Sequence, residues 1–340
     1  LEELPPDYVP PRLSVKNRPD PSSFATEVDE ARQRAERPDH RGILAMRTRL
    51  VPPDADNYMA ARWDAYLRGT WGWGISATGA VLVPHWDPDG KLTGCKVRLA
   101  GSRKQSLPGS TYDHLYGAWL GRRHREVLVT EGESDAAYAG YAAAEEGVAV
   151  DVFAMPSGAQ QPVSPLWLDF LSGTSLVYLA LDPDVHGVEA TRRWIDSLED
   201  VAGINVRVCC LPLDRDLRDT RPPLRDLLAA AKRPLRAPAV AMQPGGFVLV
   251  DRKGNPRIVT TWTIDPVAQL TGEDPGYDVV LASRGVSRRT VIRLSDLASV
   301  QTLNRWANTH QEVFLGTDND RKEVTAWVEA RASVTPEIFQ

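Results

Sequence analysis

A chain of 340 residues is long enough for two or three domains, and 42% apolar with 25% charged residues is the composition of a folded globular protein rather than of a disordered tail. No apolar run reaches the length of a membrane span and no secretory signal opens the sequence, which predicts a cytoplasmic protein with no membrane partner. Three cysteines, Cys95, Cys209 and Cys210, are too few for a disulfide framework and fit a reducing compartment. A net charge of −5 speaks against nucleic acid as a partner, but nine Lys/Arg against three Asp/Glu lie between Ala65 and Arg125, so the charge is segregated.

The sequence opens on Leu1, which reads as a fragment or a processed chain. Residues 1–23 are rich in proline and predict an extended segment. Helices follow near 24–36 and 57–67. "AVLVPHWDPDGKLTGCKVRLA" reads as a β-hairpin, two alternating strands around a DPDG turn. Lys96 and Arg98 flank Val97 and so share one face, and Arg103 and Lys104 sit on the loop beyond. Trp71 and Trp73 share a side if extended, either stacking on bases or packing inside.

From residue 126 the chain alternates strand and helix. Strands are predicted at 126–130, 149–154, 175–181 and 205–211, with helices at 134–146, 163–172, 185–199 and 222–232. This is the pattern of a mostly parallel sheet covered on both faces. Cys209 and Cys210 fall in the last of these strands and should face opposite ways. Residues 234–245 read as a linker. A small α+β region fills 246–340, with a hairpin over "GFVLVDRKGNPRIVTTW", strands at "DVVLASR" and "TVIRL", and helices at 295–309 and 319–333.

The chemistry is concentrated in "VLVTEGESD" and "LVYLALDPD". Each is a buried strand that ends in carboxylates: Glu131 after the first, Asp182 and Asp184 after the third. In a parallel sheet, strand ends share one rim, where active groups gather. Three hard oxygen donors without histidine or thiolate favour Mg²⁺ or Mn²⁺ over zinc. Gly132 would permit a sharp turn and close approach of a phosphate, and Asp135 falls in the first turn of the following helix. Asp184 could instead cap the helix at 185–199.

E-G-x-x-D after a strand, with D-x-D about fifty positions later, resembles the TOPRIM domain of DnaG-type primases, topoisomerases and some nucleases. "LPLDRDLRD" sits where such primases carry a further acidic stretch, with Asp216 and Asp219 as the equivalents. The order of a helix ending "YLRG", a "G-x-K-x-R" hairpin, a basic loop, "LYG" and the TOPRIM strand resembles, from residue 57 to 232, the RNA polymerase core of DnaG-type primases, closest to bacteriophage primase-helicases.

That resemblance implies an α/β fold: a Rossmann-like TOPRIM domain (123–233), preceded by an α+β subdomain (24–122) and followed by a small α+β domain. It implies Mg²⁺ (or Mn²⁺) on Glu131, Asp182, Asp184 and Asp216, and template-directed synthesis of short RNA primers. Lys96, Arg98, Arg103 and Lys104 would bind nucleotide and DNA, and Gly132, Asp135 and Asp219 would support the site. The implied partners are single-stranded DNA, ribonucleoside triphosphates and a replicative helicase, in a host bacterial cytoplasm if the chain is phage-encoded. No zinc-ligand spacing is present, so either sequence-specific initiation is not expected of this chain or a template-reading zinc domain lies upstream or in another chain. The alternatives are a TOPRIM nuclease using the same acids, or a non-catalytic DNA-binding module tethered to a helicase.

Overall fold

The computed structural model describes residues 24–51, 55–98, 104–199, 201, 204–212, 215–234, 241–243, 246–250, 256–283 and 286–339. The proline-rich stretch 1–23 and Arg103 lie outside them. The chain divides into two compact units between Tyr112 and Asp113. Among the described residues no helix is long and apolar enough to cross a membrane.

The first unit holds α1 (Ala25–Glu36), α2 (Ile43–Arg47), α3 (Asn57–Trp71) and an antiparallel sheet in the order β1 (Gly74–Ile75), β2 (Val81–Trp86), β3 (Leu92–Arg98), β4 (Lys104–Ser106). The DPDG hairpin is present: the Asp87 carboxylate accepts the amides of Asp89 and Lys91, and Gly90 takes a left-handed φ of 81°. α1 buries Val28 and Ala31 against Leu82 and Cys95 of the sheet. The approach is so close that a Cβ on Gly74 would come within 2.6 Å of the Ala31 backbone.

Asp64, 2% exposed, ties α3 to α2 by accepting the amides of Gly42 (2.5 Å) and Ala45 (2.7 Å). Burial pushes its carboxyl above the usual range despite those bonds. Asp64→Ala should therefore cost about 2 kcal/mol, because two buried amides lose their acceptor; urea denaturation measures it.

The second unit contains the parallel sheet that the strand–helix alternation predicts. Its strands are β5 (Glu126–Thr130), β6 (Asp151–Ala154), β7 (Leu176–Ala180) and β8 (Asn205–Val208), ordered β6-β5-β7-β8 and parallel throughout. Between them run α4 (Glu133–Glu146), α5 (Pro165–Leu171), α6 (Val185–Glu199), α7 (Leu217–Thr220) and α8 (Leu224–Ala230). Val127, Val129, Val177 and Leu179 point to one face and pack with Trp167 and Trp194, whose rings stack at 5.7 Å. β8 ends at Val208, so Cys209 and Cys210 follow the strand instead of alternating within it. Burial raises their thiols to about 12 and about 11.

Beyond them lie β9 (Ala241–Gln243), β10 (Gly246–Val250) and β11 (Pro256–Ile258), forming one antiparallel sheet. A second sheet is ordered β14-β13-β12-β15, from β12 (Trp262–Thr271), β13 (Gly276–Ser283), β14 (Val286–Arg293) and β15 (Glu337–Phe339). α9 (Leu294–Leu297), α10 (Val300–Thr309) and α11 (Asp318–Ala332) pack on it around Phe247, Trp262, Trp306 and Trp327. The single helix predicted at 295–309 is two, because Ser299 and Thr302 form a capping box that starts α10.

This region is fastened to the parallel sheet. Buried Arg192 of α6 pairs with Asp265 of β12 and donates to the Pro266 carbonyl, and Val334 joins the core beneath α6.

A candidate acidic site at the sheet rim

β5 and β7 are adjacent, with Thr130 opposite Ala180, so the residues that follow each leave the sheet side by side. The Asp182 amide donates to Glu131 Oε2 at 3.2 Å. Burial raises the Glu131 carboxyl; bonds from the Asp182 and Ala159 amides oppose the shift, while the charges of Asp184 and Asp135 add to it. The turn after β7 is packed against α6: a Cβ on Gly187 would fall 1.9 Å from the Asp182 carbonyl oxygen. Glycine at this position lets the helix close onto the D-x-D turn.

Asp182 is raised to about 7, first by burial and then by the charges of Glu131, Asp216 and Asp184. Asp135, 7% exposed in the first turn of α4, is also raised to about 7, by burial and by Asp216 and Asp182. Five carboxylates from three separate segments thus feel one another at one end of the sheet. Partial compensation comes from Arg218, whose amide donates to Asp135 Oδ1 (3.3 Å) and whose guanidinium donates to Asp216 Oδ2 (2.6 Å).

The structure therefore brings Glu131 and Asp182 into contact and places Asp184 and Asp135 within their electrostatic reach. The neighbouring acids also have partners within the fold. Asp184 Oδ1 accepts the Gly187 amide at 2.8 Å, so it does cap α6. Asp216 caps α7 through Oδ1, which accepts the Asp219 amide, and its Oδ2 accepts from the Arg218 guanidinium. Asp219 is exposed, with a carboxylate oxygen 3.4 Å from Arg218 Nε. Gly132 is the N-cap of α4 with φ −130°, extended backbone open to any residue, so no left-handed turn requires glycine there.

In the first unit, Lys96, Arg98 and Lys104 share one sheet face, as the β3–β4 register (Arg98 opposite Lys104) requires. Lys96 is 9% exposed with Nζ over the Tyr112 ring, and the Arg98 guanidinium lies over Trp73. Trp71 and Trp73 are both buried, so they are packing residues. Sequence reasoning missed Arg218 and Gly187. Arg218 lies two positions after Asp216 in "DRDLRD", and reading that run as acids alone hid its cation.

The donor set, all carboxylate oxygen, has the chemistry of a hard divalent cation site. As placed, no group of three or more His, Cys, Asp or Glu side chains among the described residues is gathered closely enough to hold a metal ion.

No protein-family model matches the chain, and no curated protein matches it. Solved structures do. The primase fragment of the bacteriophage T7 primase-helicase protein is 20% identical over 46% of this chain and 65% of its own, with a TM-score of 0.39. The Aquifex aeolicus primase (zinc-binding and RNA polymerase domains) is 16% identical over 62% of this chain and 60% of its own, at 0.44. The E. coli primase catalytic core is 15% identical over 62% and 80%, at 0.44. This chain spans less than two thirds of the first two. It is similar to primase catalytic cores, at identities and TM-scores that leave its chemistry to be argued from its own residues.

Proposed function

We propose that this chain is the catalytic core of a DnaG-type DNA primase, a metal-dependent nucleotidyltransferase that makes short RNA primers on single-stranded DNA. The observation that carries the reading is the junction of Glu131 and Asp182 at adjoining strand ends, with Asp184 and Asp135 beside them, in the E-G-x-x-D and D-x-D order of a TOPRIM domain.

Glu131, Asp182 and Asp184 would hold Mg²⁺ or Mn²⁺, which when bound supplies positive charge to the triphosphate. In the reaction a ribonucleotide 3′-hydroxyl oxygen bonds to the α-phosphorus of the next triphosphate, the α–β phosphoanhydride breaks and pyrophosphate leaves. Glu131 assists removal of the hydroxyl proton. The cationic face of Lys96, Arg98 and Lys104 on the first unit would contact nucleotide and DNA phosphates. A replicative helicase is the natural partner of such a core.

The test is incubation with single-stranded DNA, labelled ribonucleotides and Mg²⁺ or Mn²⁺. Short RNA products are expected. Degraded template would mean a nuclease, and retention in a gel without synthesis would mean a binding module.

A further inference from the structure

"GRRHRE", residues 121–126, places three arginines and a histidine in four consecutive positions immediately before β5. All four residues are exposed. Their backbone is held: the amides of Arg123 and His124 both donate to Asp151 Oδ2, at 2.7 and 2.8 Å, and the Arg125 carbonyl accepts from Ser175. Arg122 is fixed as well, donating to Thr174 Oγ1 at 2.7 Å with its guanidinium over Phe170. Among the described residues, the side chains of Arg123, His124 and Arg125 have no hydrogen-bond, ion-pair or ring partner.

Arg68, Arg193, Arg289, Arg293 and Arg321 each have a carboxylate within salt-bridge distance, whereas Arg305 stands exposed and, among the described residues, alone; the 122–125 turn differs from both in crowding its cations into consecutive positions. Unpaired like charges crowded on a rigid turn repel one another, an arrangement a bound polyanion relieves. The turn lies at the amino end of β5, and the acidic site at its carboxyl end. The five residues of β5 at ~3.3 Å each separate them by about 17 Å. The cations are therefore too far from Glu131 to neutralise the site, yet within a few nucleotides of it along a strand.

We infer that the Arg122–Arg125 turn is a contact for the sugar-phosphate backbone of nucleic acid, separate from the acidic site and independent of base sequence. This rests on the reading that the chain acts on nucleic acid.

The test is the salt dependence of single-stranded DNA binding, by fluorescence anisotropy, for the wild-type chain and for R123A/R125A. A control variant, R305A/K322A, removes the same charge from two exposed positions of the same unit. Removing two phosphate contacts should flatten the log K against log salt slope by about 1.4 and weaken binding roughly tenfold at low salt. The control should leave both unchanged, and Tm should hold for each variant. An R123A/R125A slope equal to wild type, or an equal loss in the control, overturns the inference while leaving the primase reading intact. Absence of any DNA binding by the wild type overturns both. Competition by poly-glutamate as strong as by DNA of matched charge would overturn it in favour of an acidic protein partner.

Discussion

Glu131→Gln should lower template-directed ribonucleotide incorporation by on the order of 10²–10³-fold, the loss seen when one preorganised electrostatic group is removed from a polar active site. The substitution is nearly isosteric. Its amide oxygen can still accept the Asp182 amide that Glu131 Oε2 accepts, so the turn after β7 keeps its anchor. Burial and the charges of Asp184 and Asp135 already penalise an ionised Glu131, so a neutral group there should leave Tm unchanged or raise it. Loss of synthesis with an unaltered melting curve is the expected pair. Asp184→Asn sharpens the test, since asparagine caps a helix about as well as aspartate. If Asp184 only caps α6, Asp184→Asn keeps full synthesis; if it also handles the triphosphate, synthesis falls while the helix stays intact. Retained synthesis in Glu131→Gln would remove the basis of the primase reading.

Asp135→Asn should stabilise the metal-free protein at pH 8 and do so far less at pH 4. In the folded state the Asp135 carboxyl titrates at about 7, against 3.8 for an unperturbed aspartate. Below pH 3.8 both states hold the proton and the group contributes no difference. As pH rises toward 7, the unfolded chain releases its proton while the folded chain must keep it or bury a charge, so stability falls. Above 7 the penalty is complete, up to about 4 kcal/mol for a shift of this size.

Asp182 is raised to a similar value and its charge is one cause of the Asp135 shift, so the gain from substituting Asp135 alone is smaller, about 2–3 kcal/mol. The asparagine oxygen keeps the bond from the Arg218 amide. Urea denaturation at pH 4, 6 and 8 reads the effect. Identical pH profiles for the two proteins would show that Asp135 is not held near neutral pH by its neighbours. Mg²⁺ or Mn²⁺ bound by Glu131, Asp182 and Asp184 should raise the wild-type Tm at pH 8 more than at pH 5, because protons compete for the same oxygens.

What local pattern encodes was readable before any coordinates. Period-two alternation in "VLVT" and "LVYLAL", each followed by a helical stretch, is enough to specify parallel strands with crossover helices, and the ends of β5 and β7 emerge where that topology requires. The DPDG hairpin is equally local, since Asp87 and Gly90 make its turn from their own side chain and backbone. The readings that changed are those in which a long-range or competing partner decides. β12, which the sequence reading leaves unassigned beyond Trp262, carries Pro266 in its middle. That proline is tolerated because, among the described residues, β15 pairs with Gln269–Thr271 and no strand pairs with the Pro266 stretch on that side, and a bulge follows it. β15 itself, three residues long, carries too little pattern to announce a parallel pairing across the chain.

The same division runs through the acidic site. Sequence alone determined that Glu131 and the Asp182–Asp184 pair sit at strand ends of one parallel sheet, because side-chain alternation and strand order are properties of the backbone that nearby residues write. Only tertiary structure decided how their oxygens are used. Asp184 bonds the amide of α6, Asp216 is taken by Arg218, and Asp135 is buried until its proton is held near neutral pH. A carboxylate's partner and its proton depend on which charges and amides the fold brings within a few ångströms, and those come from segments far away in the chain.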